Sequence, residues 1–341
     1  MFDVSFSSFP ANPVVVRLWR GGAVESVHRG AWCLADPAGN VLGGAGDLGA
    51  PHYARSSIKA IQALPLLETG AAARFGLDDG ELAVTLASHN GEPAHVAVVE
   101  GLLARIGARA GELACGAQEP LDGGARDLLR DARIAPGPLH NNCSGKHAGF
   151  LALARHLGVP AARYLDPASE GQRLVRAALA ALTDLDAERL VPGIDGCSAP
   201  NWRVPLARLA TAFARLANPA GLPAERAAAA RRLQGAAARR PDLVAGRGRL
   251  DTDLLRASGG RLFAKGGAEG MYAVGVVGEE RGLALKIDDG GGRAAHALLL
   301  ALLETLRLAT AAELAPLAAW RDGTLRNRAG IAIGRIEAVV E

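Results

Sequence analysis

From residue 13 to residue 48 the apolar side chains come in short β-rich runs cut by turn residues. Val14-Val-Val-Arg-Leu-Trp19 leads into Arg20-Gly-Gly22, a second run covers Glu25 to Asp36, and Pro37-Ala-Gly-Asn40 ends it. Runs bounded in this way predict an antiparallel meander. From Ser56 to about Leu255 the spacing becomes helical, clearest in Ala94 to Ile106, Ser144 to Leu157, Ser169 to Thr183 and Leu206 to Leu216. The apolar run just ahead of Ser88 reads as strand-like. Strand spacing returns in Arg261 to Lys265, Met271 to Val277 and Gly282 to Asp288, with glycine-rich turns between them. A long helix, Arg293 to Leu308, and a last strand, Ile331 to Val340, follow, and no internal repeat is evident. Together these elements predict an α+β domain, one antiparallel sheet drawn from both ends of the chain plus a mostly α-helical lobe. Residues 1–55 plus 258–341 form the sheet lobe and residues 56–257 an inserted, mostly α-helical lobe. A functional site is expected in the cleft between them.

The composition narrows the choices. Hydrophobic residues make up 49% and charged residues 21% of the 341, which fits a globular chain and argues against disorder. Net charge is +3 with dispersed arginines, so nucleic acid is not an expected partner. Met1 to Val16 has no basic start and no long apolar stretch, and Ala297 to Leu303 is too short to cross a bilayer. The expectation is a soluble, cytoplasmic protein with no membrane partner. The four cysteines agree, because in a large cytosolic chain thiols serve packing, metal or catalysis more often than disulfides. Cys33, in Ala31-Trp-Cys-Leu34, reads as a small buried hydrophobe.

Lysine usage is more pointed. Of 38 basic residues only Lys59, Lys146, Lys265 and Lys286 are lysine. Codon bias accounts for most of that skew but not for where the lysines fall. Lysine can lose its proton when desolvated and arginine cannot, so a retained lysine is a candidate for work done by a neutral amine. Lys286, on a predicted strand, reads as an outward residue.

The other three lysines sit in motif-like segments. Ser56-Ser-Ile-Lys59 opens a helical run, which puts the Ser56 hydroxyl and the Lys59 amine on one face at i and i+3. A serine hydroxyl needs an adjacent base, and a buried lysine near other cations can supply one. Ser88-His-Asn90 follows, then Lys265-Gly-Gly267 at the end of a strand. Each alone is an ordinary cap or turn. In this order they read S-x-x-K, S-x-N, K-x-G, the motif set of serine β-lactamases and penicillin-binding proteins. Gly266 stands where that superfamily usually has Ser or Thr, and the interval from Ser56 to Ser88 is short. Both features favour a small amide over a β-lactam.

A closer resemblance runs through Arg20-Gly-Gly-Ala-Val-Glu-Ser-Val-His28, Arg55-Ser-Ser-Ile-Lys59, Ser88-His-Asn-Gly-Glu-Pro-Ala-His95, His140-Asn-Asn-Cys-Ser-Gly-Lys-His147, Gly193-Ile-Asp-Gly-Cys-Ser-Ala-Pro200 and Ala264-Lys-Gly-Gly-Ala-Glu-Gly270. These segments resemble the rhizobial-type, or class 3, L-asparaginases. The resemblance implies the serine β-lactamase-like fold, a three-layer αβα plan, hydrolysis of L-asparagine to L-aspartate and ammonia, and a homodimer. It makes Ser56 the nucleophile with Lys59 as its base, and Ser88 with Lys265 a second Ser–Lys pair.

Residue chemistry alone offers Cys143, His147, Asp195 and Cys197 as zinc ligands. The resemblance instead implies a Zn2+ site of Cys143, Lys146 and Cys197, with His147 and Asp195 behind the ligands or against the substrate. Arg55 is a candidate for the substrate α-carboxylate. Amides at the start of the Ser56 helix are expected to hold the oxyanion. A glutaminase of the same superfamily would share every motif, whereas a non-catalytic zinc-dependent binding protein would release no ammonia.

Overall fold

The computed structural model describes residues 11–340, so most of the segment read for a leader lies outside it. Eleven strands occur among the described residues: β1 (Val14–Arg20), β2 (Ala23–Ala35), β3 (Val41–Ala45), β4 (Pro51–Tyr53), β5 (Pro192–Ile194), β6 (Pro200–Pro205), β7 (Leu262–Gly266), β8 (Met271–Val276), β9 (Gly282–Ile287), β10 (Thr324–Arg326) and β11 (Ala332–Ala338). Eight of them form one sheet, ordered β10-β11-β1-β2-β9-β8-β7 with β3 also on β2, and every pairing is antiparallel. The meander and the late strands therefore meet as expected, joined where Trp32 faces Leu285 and Ala31 faces Lys286.

Alternation along the strands builds two cores, because successive side chains leave opposite faces of a sheet. Ala31, Cys33 and Ala35 of β2, Phe263 of β7, Ala273 of β8 and Ala284 of β9 join the larger core with the helical lobe. Trp32, Leu34, Leu262, Val274, Leu283 and Leu285 point the other way, under the Gly292–Thr305 helix. The Leu206–Ala217 helix covers the first face through Leu209, Phe213 and Leu216. It comes this close because Gly275 and Gly282 face each other across β8 and β9. A Cβ on either would overlap a carbonyl oxygen of that helix, at Phe213 or Ala210. This is the three-layer αβα plan, with one helical layer supplied from within residues 56–257.

Two local readings are corrected. The run before Ser88 is the helix Asp79–Thr85, not a strand, and Asp78 and Glu81 close a reciprocal capping box at its start. Residues 192–205, inside the stretch read as mainly helical, supply β5 and β6, which with β4 form a separate antiparallel sheet ordered β4-β6-β5. That small sheet sets Pro51–Tyr53 against Arg203–Pro205, just ahead of Arg55 and Ser56.

Candidate active site

Ser56 lies in a 3₁₀ turn, Arg55–Ile58, that runs into the helix Lys59–Glu68. The turn starts under constraint. Arg55 has φ +53, a left-handed conformation that costs a non-glycine residue about 1 kcal/mol or more. Its backbone N–H donates to Asn201 Oδ1 at 3.2 Å, and its Nε and Nη2 each reach Asp195 Oδ1 at 2.9 Å. The guanidinium proposed for the substrate carboxylate is thus already engaged by Asp195. On the other side, Gly267 lets the end of β7 approach, since a Cβ there would lie 3.3 Å from the Ser57 nitrogen. The Ser57 N–H bonds the Ala54 carbonyl at 3.3 Å, so it is not a spare donor for an oxyanion.

Ser56 and Ser88 line one cavity of about 210 Å³, together with Asn142, Arg249, Asp251, Gly266, Gly267, Tyr272 and His296. Lys59 sits beneath it, 1% exposed. Its Nζ lies 3.0 Å from Ser88 Oγ and 3.2 Å from Cys143 Sγ, and it also donates to the Ala87 carbonyl. Burial pushes the Lys59 pKa down, Lys146 and Lys265 push the same way, and Cys143 opposes them. Of these three partners only the Ser88 hydroxyl lines the cavity, so proton exchange between the amine and the cavity would run through Ser88. A larger cavity, about 680 Å³, lies beside the Gly292–Thr305 helix and holds none of the motif residues.

Ser88 is fixed by its surroundings. The amides of Ser88 and Asn90 bond the Val244 and Ala245 carbonyls at 3.0 and 2.8 Å, and the His89 amide bonds that of Asn142 at 3.0 Å. His89 Nδ1 accepts from the Gly91 amide at 3.1 Å, which assigns the proton to Nε2, 2.8 Å from Ser144 Oγ. Burial holds His89 neutral, its pKa well below the ordinary value. The histidine of this motif therefore ties Ser88 to the start of the Ser144–His156 helix, beside Cys143.

Lys265 does not pair with Ser88. Its Nζ bonds Asp251 Oδ2 at 2.8 Å and the Gly266 carbonyl at 2.9 Å, because a buried carboxylate is a stronger partner for an ammonium than a hydroxyl. Asp251 also accepts from the Gly266 amide at 3.0 Å and from the Tyr272 hydroxyl. Burial alone would raise the Asp251 pKa, but Lys265, Tyr272 and Arg249 outweigh it and hold it low. Asp251, Tyr272 and Arg249 were not foreseen. Their only sequence signal is the rarity of tyrosine, three in the whole chain.

Cys143, Lys146 and Cys197 do converge. All four cysteines are free and buried, and Lys146 Nζ is 3.1 Å from Cys197 Sγ. The Cys197 thiol and the amines of Lys59 and Lys146 hold the Cys143 thiol well below its ordinary pKa, although burial opposes them. Burial would lower the Lys146 pKa, but the two sulfurs raise it. Two soft sulfurs and an amine suit zinc. Cys143, His147, Asp195 and Cys197 do not converge as an alternative ligand set, and Asp195 holds Arg55. Among the described residues no three of His, Cys, Asp and Glu converge on a metal position, so a site here depends on Lys146.

A buried amine hydrogen-bonded to a serine hydroxyl that lines a cavity is equipment for acyl transfer. The sequence family described as L-asparaginase II matches residues 16–338, and the chain belongs to that family. Its reaction is that of an L-asparaginase, an amidohydrolase acting on the side-chain amide of asparagine. No curated protein matches the chain. Among solved structures it is similar to a β-lactamase from Mycobacterium bovis, with 17% identity over 81% of this chain and 94% of that one and a TM-score of 0.43. It is also similar to a structure described as Mglu, with 16% identity over 82% of this chain and 67% of that one and a TM-score of 0.37. No helix among the described residues is long and apolar enough to cross a membrane.

Proposed function

We propose that hydrolysis runs through a β-aspartyl ester on Ser56, with neutral Lys59 as the base. The observation that carries this reading is the Lys59 amine, wholly buried and 3.0 Å from a hydroxyl that lines the same cavity as Ser56. Ser56 Oγ attacks the amide carbon, and its proton passes to Lys59 Nζ by way of the Ser88 hydroxyl. The lysine returns that proton to the departing nitrogen, the C–N bond breaks and ammonia leaves. Water then attacks the ester, gives a proton to Lys59, and Ser56 regains its hydroxyl. Lys265, held by Asp251, supplies a fixed positive charge beside the cavity.

Zinc belongs to the same reading. Cys143, Lys146 and Cys197 would hold it, and when bound it would supply Lewis-acid chemistry at a cluster whose Cys143 contacts Lys59. Asp195 acts through Arg55, and His147 stands beside Lys146 on the same helix with its Nε2 unpartnered among the described residues. Four free thiols support a reducing, cytoplasmic setting, and the resemblance supports a homodimer. Ammonia release by purified protein, from asparagine against glutamine, tests the reading. Release from asparagine that survives Ser56→Ala would contradict it.

A further inference from the structure

The catalytic cavity contains a cation with no direct ion-pair partner, since Asp251, the carboxylate whose charge it feels, is bonded to Lys265. Arg249 lines it together with Ser56 and Ser88. Its Nη1 donates to the Ser88 carbonyl at 3.3 Å and to Asn90 Oδ1 at 2.9 Å, both uncharged acceptors. Among the described residues no carboxylate lies within ion-pairing distance of its guanidinium. Other arginines have one: Arg55 has Asp195, Arg247 has Asp122, and Arg240 has Asp242. The Nη1 contacts fix the plane of the guanidinium and leave the Nε–Nη2 edge uncommitted, and that edge matches a carboxylate with two parallel hydrogen bonds.

We propose that Arg249 binds the α-carboxylate of the substrate and so restricts the enzyme to free amino acids carrying a side-chain amide. The proposal rests on the placement of catalysis in this cavity. Arg55 cannot serve equally, because Asp195 occupies its Nε and Nη2 before any substrate arrives. Lys265 is likewise taken by Asp251. An asparagine residue inside a peptide has no free α-carboxylate, so it would leave Arg249 unpaired and would be a poor substrate.

The test compares L-asparagine with 3-aminopropanamide, which is asparagine without its α-carboxylate, on wild-type protein, Arg249→Gln and Arg249→Lys. Wild type should prefer asparagine in kcat/KM, and Arg249→Gln should shrink that preference about ten-fold or more, chiefly through a higher KM for asparagine. Arg249→Lys, with charge but no fork, should fall between. If Arg249 only holds the Ser88 loop, both amides lose rate by the same factor and the preference persists, which overturns the proposal. An unchanged preference in a folded Arg249→Gln protein overturns it as well. The ratio is readable whichever side chain is the nucleophile, so its outcome is separate from that of the Ser56 test.

Discussion

The Nζ of Lys59 hydrogen-bonds the Oγ of Ser88 at 3.0 Å, although Lys59 opens a helix and Ser88 lies in the loop after Asp79–Thr85. The lysine of the first motif is thus the partner of the serine of the second. Its third contact, Cys143 Sγ at 3.2 Å, brings the thiol cluster to the same amine. One buried nitrogen therefore joins the cavity hydroxyls to the proposed metal ligands, and perturbing either side should be felt by Lys59.

Replacing Lys59 by arginine should damage turnover as much as replacing it by alanine, each by about a hundred-fold or more. Arginine keeps the charge but cannot accept a proton. Steady-state ammonia release decides this, and near-normal rates in Lys59→Arg would show that Lys59 is only a fixed cation.

Lys265 should behave differently, because it is ion-paired to Asp251 inside the fold. Lys265→Arg should retain more activity than Lys265→Ala. Asp251→Asn should cost about 3–5 kcal/mol of stability by leaving a buried ammonium unpaired. Denaturant unfolding of the Asp251→Asn protein checks the second point, and an unaltered midpoint would contradict it.

Wild-type protein purified without chelator should carry about one zinc ion per chain, and Cys143→Ser with Cys197→Ser should carry none. Serine keeps nearly the volume of cysteine, so lost metal is separable from lost packing. A zinc that orients substrate predicts weak asparagine binding by a folded double variant, and a structural zinc predicts a lower Tm. Elemental analysis showing no metal, together with a Cys143–Cys197 disulfide, would remove zinc from the account.

Glu313 gives a pH dependence remote from the site. Its hydrogen bonds with Arg261, helped by Thr310, outweigh partial burial and lower its pKa from 4.5 to about 2. A depressed carboxylate stabilises the fold fully above its unfolded value and loses that contribution as pH falls toward about 2. Glu313→Gln should therefore cost about 2 kcal/mol near neutrality and progressively less below pH 4.5. A deficit that stays constant across that window would show that the carboxylate is not the source.

Much of this could be read in the chain because its signals are local. The period-two strands β7, β8 and β9 and the helices Ser144–His156 and Leu206–Ala217 fall within a few residues of the expected bounds. The helix before Ser88 was misread because Leu82 to Val84 is short and apolar, and the Asp78–Glu81 box was the overlooked cue. The strands β5 and β6 are short and bounded by proline, so they carry little periodicity. At the site, the grouping of Cys143, Lys146 and Cys197 was implied by the family resemblance, where residue chemistry alone pointed to His147 and Asp195 instead of Lys146. The partners of Lys265 and Arg55 could not, because Asp251 and Asp195 reach them across 14 and 140 positions. No spacing rule says which of several carboxylates a folded chain will bring to a given cation.

The central claim is that Ser56 carries the acyl group, and acid-quenched turnover followed by peptide mass mapping tests it most directly. Protein stopped while hydrolysing asparagine should contain one added aspartyl group on the peptide bearing Ser56, removed by mild base as expected for an ester. The same protein with Ser56→Ala should show no adduct and less than about a thousandth of the wild-type rate, with an unchanged Tm. An aspartyl adduct mapping to Ser88 or a cysteine, or a Ser56→Ala protein that keeps about a tenth of the activity, would contradict the account.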